Sequence, residues 1–84
     1  MKILVQSLFE RSISYIITKE DKSDYCSIQG DIIPTMYDDD ENPLTEEVKE
    51  MDECIKNWKP ERFVEIFNNL MRTKNKNFYS EVVW

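Results

Sequence analysis

Residues 44–73 read LTEEVKEMDECIKNWKPERFVEIFNNLMRT, and their pattern decides what the remainder of the chain has to supply. Val48, Met51, Ile55 and Trp58 recur at steps of three and four, with Glu46, Glu50 and Glu53 on the opposite side. That is the period of an amphipathic helix over 44–58. Lys59-Pro60 leaves almost no room for a loop, and proline suits the first helical position, where an amide hydrogen has no partner anyway. A second helix over 60–73 gathers Phe63, Ile66, Phe67, Leu70 and Met71 on one face and Glu61, Glu65, Asn68 and Arg72 on the other. Two apolar stripes on a tight helical hairpin need a further surface to pack on.

The flanks supply that surface as a sheet. The tail FYSEVVW (78–84) alternates Phe78, Ser80, Val82 and Trp84 with Tyr79, Glu81 and Val83, the period of a strand. ISYIIT (13–18) is β-branched and aromatic, which places a second strand at 13–19. Polar EDKS (20–23) reads as a hairpin loop, with a partner strand at 24–29. Gly30-Asp31 then reads as a turn with Gly30 at positive φ, and Pro34 holds Ile33 extended. Residues 35–42 form a loop. Asn42-Pro43 offers one helix start and Thr45, followed by two glutamates, offers another one turn later.

Residues 2–9 fit two periods. Ile3, Val5 and Phe9 alternate with Leu4, Gln6 and Leu8, while Met1, Leu4, Val5, Leu8 and Phe9 also share one helical face. Strand is the expectation taken. The whole is a single α+β domain, 1–84. It has a small, mostly antiparallel sheet (strands near 2–9, 13–19, 24–29 and 78–84), with the helical hairpin (44–58, 60–73) on one face.

Composition bounds the function. A chain of 84 residues buries only about 60% of its unfolded surface, so it is marginal in stability and open to self-association, a homodimer included. Cys26 and Cys54 stand far apart in a chain with no histidine, which reads as two reduced thiols in a cytoplasmic protein rather than a disulfide framework or a zinc site. MKILVQSLFERS does not fit a signal peptide, and no stretch reaches the roughly eighteen apolar residues of a membrane span.

The charge is uneven. Residues 38–53, DDDENPLTEEVKEMDE, hold nine acids against Lys49, a net of −8, while the chain as a whole carries −6. The other 68 residues therefore sum to +2. Asp38, Asp40 and Asn42 mimic the start of a calcium loop, but Pro43 stands where glycine is required and Lys49 where a bidentate glutamate is required. Without histidine, acid–base chemistry would fall to a carboxylate, lysine, cysteine or tyrosine; the carboxylates read as solvated, Cys26 and Cys54 as small core residues rather than nucleophiles, and a single glycine excludes a phosphate loop. The hairpin helices would make a poor DNA reader, because Glu61 and Glu65 would face phosphates. Lys56, Lys59, Arg62, Arg72, Lys74 and Lys76 are read as solvated helix backs, so neither direct nucleic-acid binding nor a metal, cofactor or catalytic group is expected.

What remains is a negative surface: Asp38, Asp39, Asp40 and Glu41 on a loop, then Glu46, Glu50 and Glu53 lining roughly 10 Å of one helix face. Such a surface suits a basic protein, above all one whose Lys/Arg groove binds nucleic acid. In size, charge and lack of catalytic residues the chain resembles the small acidic inhibitors of phages and mobile elements, anti-CRISPR and anti-restriction proteins among them. The resemblance implies a non-enzymatic inhibitor that acts as a nucleic-acid mimic. The alternative is a structural or regulatory subunit, a homodimer included, that associates through apolar surface such as the exposed edge of a short sheet or Trp84.

Overall fold

The computed structural model describes residues 1–8, 14–40, 42–75 and 78–84, with side chains apart from 31–35 and 74–75. Its elements run β1 (Lys2–Ser7), β2 (Ser14–Ile17), α1 (Ser23–Met36), α2 (Glu46–Lys56), α3 (Pro60–Leu70), a π-helical turn (Met71–Asn75) and β3 (Phe78–Val83). This is an α+β fold: a three-stranded antiparallel sheet in the order β2-β1-β3, with helices on one face.

The sheet is two-faced because the strands alternate. Val5 lies between Tyr15 on β2 and Ser80 on β3, and Ile3 lies between Ile17 and Val82. Ile3, Val5, Ile17, Phe78 and Ser80 are buried under the helices, while Gln6, Ile16, Tyr79 and Glu81 face outward. Residues 2–9 are thus a strand over Lys2–Ser7, with Phe9 outside the described residues. The expected 13–19 strand is β2, shortened, with residue 13 also outside them.

The helical hairpin packs as its stripes require. Val48, Met51 and Ile55 from α2 and Phe63, Ile66, Phe67 and Leu70 from α3 join Met71 in one core cluster. The first helix is shorter than the 44–58 expected, since Asn57 caps it and Trp58 turns into the left-handed region at φ 54. Lys59 N–H donates to Cys54 O (2.7 Å) and Trp58 N–H to Ile55 O (3.3 Å), the bond pair of a Schellman stop. The second helix ends at Leu70, and the π-helical turn takes over the last residues of the expected 60–73 span.

One element is of the other kind. The expected strand 24–29 is the first half of α1, which continues through Gly30 and Pro34 to Met36. The reason is in the packing. Tyr25 and Ile28, three residues apart, are both buried, and Gln29 is half-buried beside them, while Cys26, Ser27 and Gly30 are exposed. Instead of turning a hairpin, EDKS starts the helix: Asp21 Oδ1 accepts from Ser23 N–H (3.1 Å) and Ser23 Oγ (2.7 Å). Gly30 has no positive φ, Ile33 is helical rather than extended, and the 35–42 loop begins only after Met36.

Both sheet edges are blunted by side chains. Asp24 Oδ2 accepts from Ile16 N–H on β2 (2.9 Å). On β3, the Asn68 amide takes both main-chain groups of buried Ser80, donating to its carbonyl (2.8 Å) and accepting from its N–H (2.8 Å). The Ser80 hydroxyl adds a third bond to Asn68 Oδ1 (3.0 Å). An edge strand so occupied is a poor template for another strand.

Candidate functional site

The acidic segment begins where α1 ends. Met36 O accepts from Leu44 N–H (2.9 Å), and Tyr37 bridges antiparallel to Pro43, so the loop is pinched at its base. Inside it, Asp38 N–H donates to Asn42 O (2.9 Å), and Asp38 Oδ1 accepts from the amides of Asp40 and Asn42 (2.9 Å each). Asp38 is therefore the residue that closes the loop, a structural use its sequence did not advertise. Asp39 and Asp40 stand exposed at the turn, and Glu41 lies outside the described residues.

The loop delivers the chain to the start of α2. Of the two candidate starts the second is used: Thr45, with φ −138 and ψ 162, accepts from Val48 N–H at Oγ1 (3.3 Å). Glu46 and Glu47 occupy the first turn, where the positive end of the helix dipole favours them. Glu50 and Glu53 follow on the exposed side.

These acids are not equivalent. Glu50 is gripped by Arg62 of α3 through Nε (2.9 Å) and Nη2 (3.2 Å), and Arg62 also reaches Glu65 (2.7 Å). The guanidinium hydrogen bonds hold the Glu50 carboxyl below its usual range. Asp39, Asp40, Glu46, Glu47 and Glu53 have no ion pair among the described residues. Within the seven-residue set Asp38, Asp39, Asp40, Glu41, Glu46, Glu50 and Glu53, two carboxylates serve the fold and four face solvent uncommitted. The seventh, Glu41, is outside the description.

Beneath the loop lies a polar knot that the pattern of charges does not reveal. Asp52 Oδ1, on the flank of α2, accepts from the hydroxyls of Tyr25 and Tyr37 (2.7 Å for the latter) and from Gln29 Nε2 (3.3 Å). Gln29 also donates to Tyr37 Oη (3.1 Å). Both tyrosines are almost fully buried. Burial pushes the Tyr37 phenol up to about 12, with Asp52 adding to the rise against an opposing Gln29 bond. The same burial pushes Tyr25 up further still, aided by Tyr37 and Asp52. Each phenol is thus a neutral donor at ordinary pH. The signal was available, since Asp52 stands four residues after Val48 and three before Ile55, at the margin of an apolar stripe.

The other groups weighed from sequence are placed as follows. Cys54 is buried, and that burial raises its thiol, the reverse of an activated nucleophile; Cys26 is exposed in α1. Arg72 donates to Asn69 Oδ1 (2.8 Å), and the side chains of Lys74 and Lys76 lie outside the description. Among the described residues no group of three or more acids or cysteines is placed to hold a metal ion, and no helix is long and apolar enough to cross a membrane. Trp84 is 84% exposed at the far end of β3. Comparison with protein-family models, with curated proteins and with solved structures gives no match for this chain.

Proposed function

We propose that the chain is a non-enzymatic protein-binding module. It presents Asp39, Asp40, Glu46 and Glu53, with Glu47 beside them, to the basic nucleic-acid-binding groove of a partner protein. What supports the reading is the set of uncommitted carboxylates around one helix start, in a molecule whose other strong charges include an internally satisfied Glu50–Arg62–Glu65 chain. Carboxylates spaced along a loop and a helix face offer a Lys/Arg groove what a phosphate backbone offers it. Asp38 shapes the loop and Glu50 adds its charge mainly to Arg62, so both stand behind the contact surface rather than in it. The role that fits is inhibition by nucleic-acid mimicry, of the phage or mobile-element kind. Direct binding to nucleic acid or membrane has no part in it. A cytoplasmic setting goes with the two free thiols.

The test is capture of binding proteins from a lysate at about 50 mM and about 500 mM salt, with duplex DNA as competitor. Basic nucleic-acid-binding proteins should be held at low salt, released at high salt and displaced by DNA. Neutral or acidic partners, indifferent to both salt and DNA, would contradict the proposal.

Trp84 favours a second reading, association through apolar surface. An indole this exposed, just past the end of β3, suits a contact with a subunit or a second copy, and Ile16 and Tyr79 add exposed apolar area on the outer face of the sheet. Such a contact would be insensitive to salt and would weaken on Trp84→Ala.

A further inference from the structure

The acidic loop is closed upon itself by Asp38, but closure alone does not orient it. A loop held only by its own hydrogen bonds can swing as a unit about its two stems. The first stem is Tyr37, which directly follows α1, and the second is the run Pro43–Thr45 that leads into α2. Among the described loop residues, Tyr37 is the one whose side chain is anchored in the body of the protein. Its hydroxyl is given to Asp52 of α2 and receives a hydrogen from Gln29 of α1.

We propose that Asp52 is the positioning residue of the acidic surface: it holds the Tyr37 hydroxyl, and so fixes the direction in which Asp39 and Asp40 leave the molecule before a partner arrives. This rests on the function proposed above, and supplies the pre-organisation that such a surface needs. An interface ordered in advance loses less freedom on binding.

The arrangement at Asp52 is specific to the task. One carboxylate oxygen collects donors from α1 (Tyr25, Gln29) and from the loop stem (Tyr37), while its own backbone belongs to α2. A half-buried carboxylate is costly unless hydrogen bonded, and here three donors converge on it. Because Tyr25 lies in the first turn of α1 and Gln29 one turn on, the oxygen registers helix against helix as well as loop against both. No other described carboxylate ties three parts of the chain together through side chains alone. Asp38 works only within its loop, and Glu50 only between α2 and α3.

The test needs no partner. Amide hydrogen exchange in the free protein reads the loop at Asp38, Asn42 and Leu44, each the donor of a loop hydrogen bond, and reads the sheet at Ile3 and Val5. Asp52→Asn keeps the shape and the acceptor oxygen, but a neutral amide oxygen holds the three donors more weakly than a carboxylate does. It should speed exchange at the loop amides about tenfold and leave the β1 amides unchanged. Tyr37→Phe, a milder change, should give a smaller acceleration confined to the same amides. Tyrosinate absorbance supplies a second signature, because Tyr37 should ionise more easily in Asp52→Asn once the neighbouring negative charge is gone.

Unchanged loop exchange in either variant, or equal acceleration of loop and sheet, would overturn the positioning role. If Asp52→Asn fails to fold, the Tyr37→Phe exchange pattern decides alone. The acidic surface itself is judged separately, by neutralising Asp39, Asp40, Glu46 and Glu53 with Asp52 intact. The two ideas can therefore fail independently.

Discussion

At the scale of single residues, Tyr25 and Tyr37 set the behaviour of the molecule at alkaline pH. Their phenols are raised by burial first, Tyr37 to about 12, so the fold prefers them neutral. An unfolded tyrosine ionises near pH 10. The stability they contribute is therefore complete below pH about 10 and is lost as pH climbs from there through the folded value. Urea midpoints measured across this range should fall above pH 10, and should fall less steeply in Tyr37→Phe. A pH-independent midpoint would count against the buried knot. Asn68 acts at the same scale, since its amide alone satisfies the main chain of buried Ser80. Asn68→Ala leaves those groups unpaired and should cost about 2–3 kcal/mol in chemical denaturation. The spacing of Asp52 from Val48 and Ile55 hinted at a place beside the core, but the sequence named no partner for it or for Asn68. Asn68 looked like one more exposed polar position, and Asp52 like one acid among nine. A hydrogen bond between distant residues has no sequence period to betray it.

At the scale of elements, the chain was readable wherever a stripe ran long enough. Val48, Met51 and Ile55, then Phe63, Ile66, Phe67 and Leu70, recur over about two turns each, and no strand can bury such a set on one side. Residues 24–29 were not readable in the same way, because six residues satisfy either period. Tyr25 with Ile28 is a helical pair, yet Tyr25, Ser27 and Gln29 also alternate. The decision lay in Asp21 and Ser23, which cap a helix rather than turn a hairpin. Gly30 follows from that correction. It is exposed within α1 at ordinary helical φ, and a methyl group added there meets no atom within 4 Å. Gly30→Ala should therefore stabilise the protein by roughly 0.5–1 kcal/mol, visible as a higher midpoint in thermal or urea unfolding. Destabilisation would mean that Gly30 is needed for a turn after all. Thr45→Ala removes the N-cap of α2 and should cost about 1 kcal/mol by the same measurement.

At the scale of the whole molecule, the layout separates the packed core from the concentrated charge. Helices cover one face of the sheet, Asn68 and Asp24 occupy its edges, and the strongest concentration of charge is gathered at the loop before α2 and along that helix. The sequence announced that concentration but not its division of labour. Asp38 and Glu50 turned inward to the fold's own needs, while Asp39, Asp40, Glu46 and Glu53 did not. Replacing these last four by Asn or Gln removes four like charges and, among the described residues, no hydrogen bond, so the folded state should be kept. The most direct measurement is the affinity of that fourfold variant for a captured basic partner, beside the native chain, with circular dichroism on both. A native-like spectrum, binding reduced at least about a hundredfold, and loss of most of the salt dependence are expected if these carboxylates form the contact. An unchanged affinity in the folded variant would contradict that role.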